Sequence, residues 1–500
     1  MIVNEKVDEL MQSTKLQGLT FDDVTLVTQY ADFLPEETSI KSKFSRNIDL
    51  NIPFVSAAMD TVTGPSMAIT MARLGGIGVI HKNMDIALHA EAVRKVKLHS
   101  NGLIQDPVSF RETQTVEELL NYKDDKRLPF SGFPIVDANG RVAGILTAKD
   151  LKFCNDTRLT LKEVMTSSIL TAKEGTTLED AYKIMIDKKI GKLPLLCDDG
   201  ALAGLYSFHD VNALITGTSK LENLDSKYQL RCAAAISPYD FGRAEALINA
   251  GVDAIVIDTA HGHSKGVIDT VKELKSGMGS SIDVIAGNVG TAVGAKALAD
   301  AGADAVKVGI GPGSICTTRV VCGVGIPQIT AVHEASRAVP SDVPIIADGG
   351  IKQSGDVPKA ITAGASSVMM GGLLAATEES PGEKIMMQGR RFVVYRGMGS
   401  LEAMKSGKGS RERYSQGDVE DSSQLIPQGV EGRVPYRGTA GSVLHQFAGS
   451  LKFSLGYCGA RTVPDLQRKG ILYRVTPSGL REAHPHDIQM VKDAPNYRTV

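Results

Sequence analysis

Short runs of β-branched and small apolar residues punctuate this chain, each ending in Gly, Asp, Asn or His and each followed by apolar positions at helical spacing. A strand feeding directly into a helix produces that alternation. Eight such runs stand out, at 53–59, 77–81, 231–237, 254–260, 283–289, 305–310, 344–350 and 367–373. From the third onward they recur at roughly 20 to 35 residues, as a closed barrel of parallel strands with outer helices requires. The pattern predicts an α/β chain folded as a (β/α)8 TIM barrel.

The gap before the third run is too long for a single crossover helix. Between residues 99 and 224 the chain leaves the barrel pattern and repeats itself: FPIVDANGRVAGILTAKDL (133–151) returns as LPLLCDDGALAGLYSFHDV (193–211). Pro134, Gly140, Gly144 and Asp150 recur as Pro194, Gly200, Gly204 and Asp210. Each copy reads as a strand, a turn, a second strand and a helix, preceded by a Thr-Val-Glu-Glu or Thr-Leu-Glu-Asp helix start. The pair resembles tandem CBS modules, which implies adenine or guanine nucleotides as partners; a spacer that merely folds is the plainer alternative. The division expected is 1–99 and 224–500 for the barrel and 100–223 for the insert, with repeats at about 103–160 and 161–220. The segment 398–437, rich in Gly, Ser, Arg and Gln, reads as a lid or a disordered stretch. The Pro-containing tail 476–500 is expected to extend along the surface or reach a neighbouring molecule.

Composition narrows the class further. With 55 basic and 57 acidic residues the net charge is −2, so no global field favours nucleic acid or an anionic membrane, and any anion must be bound locally. The first fourteen residues lack a signal-peptide core and no apolar run reaches membrane-spanning length, so a cytoplasmic protein is expected. Six cysteines without C-x-x-C spacing fit neither a disulfide framework nor a zinc site; most are expected to be small buried hydrophobes.

A barrel presents its chemistry at the carboxyl ends of its strands. After the sixth run, GIGPGSICTTR places Gly309, Gly311 and Gly313 ahead of Cys316, with hydroxyls and Arg319 around the thiol. A glycine-rich loop at a barrel mouth is a poor place for a structural cysteine and a good one for a nucleophile. Those glycines do not make G-x-G-x-x-G, so a Rossmann fold is rejected. Asp348-Gly349-Gly350 and Gly371-Gly372 offer backbone N–H groups for a phosphate after the seventh and eighth runs. Asp258 reads as an acceptor for a hydroxyl or ribose. His261 and His263, like His484 and His486, are spaced H-x-H, which in extended chain turns the rings to opposite faces, against a metal site.

Together GIGPGSICTTR, VSAAMDTVTG (55–64), ADGGI (347–351), YRGMGSL (395–401) and the repeated insert closely resemble the inosine-5′-monophosphate dehydrogenase family over nearly the whole chain. The resemblance implies oxidation of IMP to XMP, the committed step of guanine nucleotide synthesis. In it Cys316 attacks the purine C2, hydride passes to NAD and a covalent thioimidate is hydrolysed. It further implies that Asp258, Thr259, Ala260, Gly309, Ile310 and Gly311 contact NAD, with Asn288 near the nicotinamide. IMP would be held by Ser314, Asp348, Gly349, Gly350, Gly371, Gly372 and Gln428. Tyr395, Arg396, Gly397, Met398 and Gly399 would complete that set. Ser-Arg-Glu-Arg-Tyr (410–414) resembles the family's mobile flap, with Arg413 as the base that activates water, Tyr414 beside it and Thr318 as a proton relay. Guanidinium is almost always protonated, so Arg413 could serve as a base only in a minor neutral form or with help from a neighbour.

A potassium ion is also implied, on carbonyls of Gly311, Gly313 and Cys316 completed by Glu482, Ala483 and His484 of an adjacent subunit, and with it a homotetramer. Three positions depart from the commonest pattern. Gly372 stands where many members have serine, Gln428 where many have glutamate, and Ala483 where serine or glycine is usual. The rivals are GMP reductase, which usually lacks the insert and the Arg-Tyr lid, and a catalytically silent nucleotide sensor.

Overall fold

In a computed structural model the residues described are 4–13, 17–99, 103–104, 107–125, 132–216, 221–277, 282–491 and 494–497. The chain forms two compact units, Met1–Lys97 with Leu221–Leu224 and Leu230–Val500, and Leu98–Lys220 with Asp225–Gln229.

The first unit is a closed eight-stranded parallel barrel. Its strands are β1 (Phe54–Ser56), β2 (Ile77–Ile80), β3 (Cys232–Ile236), β4 (Ala254–Asp258), β5 (Asp283–Val289), β6 (Ala305–Val308), β7 (Ile345–Asp348) and β8 (Ser367–Met370). All eight predicted runs are barrel strands. Several runs overshoot at their carboxyl ends, because there the chain turns out of the sheet to build loops. Closure is made by β8 against β1, in register Val368↔Phe54 and Met369↔Val55. Both faces are covered, so the strands read as near-continuous apolar runs rather than alternating ones. Alternation still sorts the side chains: Ala233, Ala235, Val256, Ile285, Ala305 and Ile346 share the barrel interior, whereas Ala234, Ile236, Ile255 and Ile257 pack outward under the helices. Phe44, Ile48 and Leu50, from a hairpin at Ser42–Lys43 and Asp49–Leu50, join the interior cluster. A buried ion pair, Lys97 Nζ to Asp253 at 2.8 Å, ties the end of the helix after β2 to the start of β4.

The segment expected as lid or disorder is folded. It runs through helices Leu401–Ser406 and Lys408–Arg413 and returns as β11 (Glu431–Pro435). That strand pairs antiparallel with β10 (Arg390–Arg396), which pairs with β9 (Lys384–Met387). The tail is also more ordered than an extended strip: Thr476 caps a helix at Pro477–Glu482. The cysteine expectation fails in detail. Only Cys232 and Cys458 are buried; Cys322 is exposed and Cys154, Cys197 and Cys316 are half-buried.

In the second unit the two repeats fold alike. Phe133–Val136 pairs with Val142–Leu146 in register Pro134↔Ile145, and Lys192–Leu196 pairs with Leu202–Ser207 in register Pro194↔Leu205. Each pair carries a bulge one residue beyond the proline. Thr115 and Thr177 cap the helices Val116–Asp125 and Leu178–Lys188. A cavity of about 560 Å³ is lined by Ile145, Thr147, Lys149, Ile169, Ile190 and Lys192. Among the described residues no helix is long and apolar enough to cross a membrane.

Candidate active site

A cavity of about 630 Å³ lies at the carboxyl ends of the barrel strands, a size suited to a small molecule. Its wall includes Cys316, Thr318, Arg413, Tyr414 and Gln428, together with Ser314, Asp348–Gly350, Gly371, Gly372 and Tyr395.

The cysteine loop is held from three sides. Val430 N donates to Ile315 O at 3.0 Å and Thr317 N donates to Gln428 O at 3.1 Å, so the return of the lid segment straps the loop beside residue 316. Arg319 closes the base, its Nε donating to Ile310 O at 3.2 Å and its Nη2 to Ile326 O at 2.5 Å. That guanidinium clasps the loop from within electrostatic reach of the thiol. Cys316 Sγ donates to Thr318 Oγ1 at 3.2 Å, and Thr318 Oγ1 donates to Gln428 Oε1 at 3.1 Å. The row ends on an amide carbonyl, which accepts a hydrogen bond but is no proton store at neutral pH.

Glycine is required at the turns. At Gly309 an added Cβ would lie 2.1 Å from Asp348 O, and Gly349 and Gly350 hold φ of 93° and 84°. At Gly371 the Cβ would lie 2.7 Å from Tyr395 Oη; Gly372 is looser, 3.3 Å from Tyr395 Cε1 and 3.4 Å from Ser314 Oγ. Burial raises the Tyr395 phenol well above its ordinary range, opposed by a hydrogen bond with Ser314. The Tyr395 hydroxyl therefore stays protonated at neutral pH.

A buried charge cluster underlies the cavity. Lys307, 1 % exposed on β6, reaches Asp258 Oδ1 at 2.9 Å, Asp348 Oδ2 at 2.8 Å and Asn288 Oδ1. Asn288 Nδ2 donates to Asp348 Oδ2 at 2.9 Å and to Gly309 O at 2.8 Å. Lys82 Nζ, just after β2, donates to Asp258 O at 2.7 Å; burial and then Arg413 hold its ammonium well below the usual lysine range. Burial lowers the neighbouring His81 to about 4, with Asp60 opposing. Sequence reasoning missed Lys307 and Lys82. The only signal was a lysine inside or abutting a fully apolar run, where an unpaired charge would be prohibitive.

The lid docks on that cluster. Arg413 ion-pairs with Asp258 Oδ2, and its carbonyl accepts from Ala260 N at 2.9 Å. Ser237 Oγ donates to Glu412 Oε2 at 2.6 Å, and Ser410 N donates to Asn83 Oδ1 at 3.3 Å. Three expected dinucleotide contacts are therefore engaged by the protein itself: Asp258 and Ala260 by the lid, and Thr259, whose hydroxyl donates to Gly287 O at 2.8 Å.

Two expected substrate contacts lie off the cavity wall. Arg396 turns to Asp60 at 2.7 Å, and the backbone of Gly399 seats the Tyr414 ring, where a Cβ would fall 2.6 Å from Cζ. Gly397 and Met398 remain on the wall, as do Asn288, Gly309, Ile310 and Gly311. The backbone of Gly313 accepts from Cys316 N at 3.1 Å, and no hydrogen bond to the carbonyls of Gly311 or Cys316 occurs among the described residues. Glu482, Ala483 and His484 are exposed at the end of the C-terminal helix.

Comparison with known proteins accounts for this arrangement. The chain is 49% identical to the inosine-5′-monophosphate dehydrogenase of Aquifex aeolicus, covering 96% of this chain and 98% of that protein. It is 47% identical to the enzyme of that name from Streptococcus pyogenes, over 96% and 97%. Among solved structures, a cysteine-to-alanine variant of GMP reductase from Trypanosoma brucei, in complex with guanosine 5′-monophosphate, superposes with a TM-score of 0.81 at 37% identity. It covers 96% of this chain and 100% of its own. That coverage leaves no room for a missing insert, so the insert does not separate the two activities. The model of the IMP dehydrogenase / GMP reductase domain matches residues 18–486, and the chain belongs to that family.

Proposed function

We propose that this chain is an NAD-dependent IMP dehydrogenase that forms XMP through a covalent intermediate on Cys316. The observation that carries the reading is one cavity joining the strapped Cys316 loop, the glycine turns of β7 and β8, and a docked lid bearing Arg413 and Tyr414. Gly371 and Gly372 present backbone N–H groups to the phosphate, and Asp348 offers a carboxylate to the ribose. With the nucleotide anchored at that end, Cys316 sulfur adds to the purine C2 as the thiolate, its proton released to water in the cavity because the Thr318–Gln428 row ends on an amide. The dinucleotide, when bound, supplies the hydride acceptor. The resulting thioimidate is hydrolysed when water adds to C2 and the sulfur leaves. Arg413 and Tyr414, close to Cys316 on the same wall, orient that water, and its proton passes to Arg413 in the minor neutral form that the guanidinium takes once released from Asp258. Asp258 supports Arg413 electrostatically but, as an anion, also holds its guanidinium charged.

Potassium fits by donor type: the loop carbonyls of Gly311 and Cys316 are hard neutral oxygens. Glu482, Ala483 and His484 of a neighbouring subunit would complete the site, so the same reading entails a homotetramer. The balanced charge and absence of an apolar spanning helix among the described residues support a cytoplasmic location. The second unit is read as the tandem CBS domain. Its cavity, with apolar Ile145, Ile169 and Ile190 beside Lys149 and Lys192, suits the base and phosphates of an adenine or guanine nucleotide.

One assay separates the rivals. Protein with IMP, NAD and potassium chloride should generate NADH absorbance, and protein with GMP and NADPH should not consume NADPH. The reverse pattern would identify a GMP reductase; silence in both, with nucleotide bound by the second unit, would identify a sensor. Activity titrated against ATP and GTP tests the regulatory unit.

A further inference from the structure

We propose that Lys307 couples substrate occupancy at Asp348 to docking of the lid at Asp258, acting as a positioning residue; this rests on the functional reading above. An ammonium has three N–H donors. Here all three are used, by Asp258 Oδ1, Asn288 Oδ1 and Asp348 Oδ2, and with the group 1 % exposed no water competes for them. The two carboxylates each have a second oxygen, and these face different tasks. Asp258 Oδ2 holds Arg413 of the lid. The Asp348 side chain, 17% exposed on the cavity wall, has no partner for Oδ1 among the described residues. One cation thus sits between the carboxylate that grips the lid and the carboxylate that meets the substrate.

The sign of the coupling follows from charge. A ribose hydroxyl donating to Asp348 Oδ1 draws off part of that carboxylate's charge and weakens its hold on Lys307. The ammonium then serves Asp258 more fully, and Asp258, more nearly neutralised, holds Arg413 less tightly. Substrate therefore loosens the lid and uncovers Asp258 and Ala260, both engaged by Arg413 when the lid is down. Asn288 extends the hub to the cysteine loop through its bond to Gly309 O.

Hydrogen exchange of residues 408–413 in the full-length protein, with and without IMP, measures the coupling. In the unsubstituted chain IMP should speed exchange about fivefold, the scale of a weakened ion pair. In Lys307→Met, which keeps the stem and removes the charge, that response should fall below about twofold. A fivefold response surviving in Lys307→Met, or no response in the unsubstituted chain, overturns the proposal. Asp258→Asn guards against a folding defect in the first variant. Its lid should exchange fast without IMP and ignore IMP; a protected, IMP-responsive lid there overturns the proposal as well. NADH formation by the unsubstituted chain is followed separately with IMP and NAD. Its absence there defeats the functional reading, whereas intact turnover of that chain with no exchange response to IMP, or a full response surviving in Lys307→Met, defeats the coupling alone.

Discussion

Gly371→Ala and Gly372→Ser test the phosphate turn by space alone, since neither glycine has the positive φ that would add backbone strain. A Cβ at 371 would stand 2.7 Å from Tyr395 Oη, roughly 0.7 Å inside the shortest comfortable contact. The phenol cannot retreat: Tyr395 is 4% exposed, is fixed on β10, and its ring also backs position 372. Overpacking of this kind costs about 1–3 kcal/mol. Expressed wholly in substrate binding, that is roughly 5- to 150-fold. Initial rates of NADH formation should show KM for IMP rising by that factor in Gly371→Ala, with kcat within about threefold. Gly372→Ser meets its nearest neighbours at 3.3 and 3.4 Å and needs only a slight adjustment. Its hydroxyl adds about 1 kcal/mol of hydrogen bonding to a phosphate, a fall in KM of roughly fivefold. Matching KM values in the two variants, in either direction, would remove these glycines from the phosphate site.

Further outcomes follow from the same geometry. Arg413→Ala should give a stoichiometric burst of NADH and then stall as covalent enzyme, whereas Cys316→Ala gives neither; equal loss of burst and turnover in Arg413→Ala removes it from hydrolysis. Gln428→Glu places a carboxylate at the end of the Cys316–Thr318 row, so in the Arg413→Ala background it should restore part of the steady-state rate, read as NADH formed after the burst. Lys97→Met removes the cation that faces Asp253, which keeps the Cys232 N–H, and should cost about 3 kcal/mol in thermal or denaturant unfolding. His81 is lowered to about 4 by burial. The folded state therefore keeps it neutral while the unfolded chain protonates near 6.5. Its stabilising contribution is full above that pH and is lost as pH falls toward 4, a change of about 3 kcal/mol that His81→Phe should remove from the pH profile of unfolding.

The barrel was legible because both faces of each strand are covered, which writes eight apolar runs into the chain with a break at each loop. The sheet of β9–β11 was not. β10, with the sequence RRFVVYR, has strand-favouring Phe-Val-Val-Tyr at its centre, but it buries only Val393 and Tyr395, and its partner β11, EGRVP, carries no such run to announce the pairing. The cysteine loop and glycine turns could be read directly, since glycine at close approaches leaves a sequence trace. The Lys307 cluster could not: Asp258 and Asp348 lie 49 and 41 positions from Lys307, and only barrel closure brings them together. Arg396 lies off the cavity wall for a related reason: a motif names neighbours in sequence, whereas β10 sends Tyr395 and Arg396 to opposite faces, the latter to Asp60.

The clasp made by Arg319 bears on how this protein would fail when heated. By pinning Ile310 to Ile326 it fastens both feet of the catalytic loop to one another, so the stretch between them cannot peel away from one end. Loops closed at the base have less freedom to gain on opening. Loss of activity on warming should therefore coincide with melting of the barrel rather than precede it, and an Arg319→Met enzyme should lose activity while the scaffold is still intact.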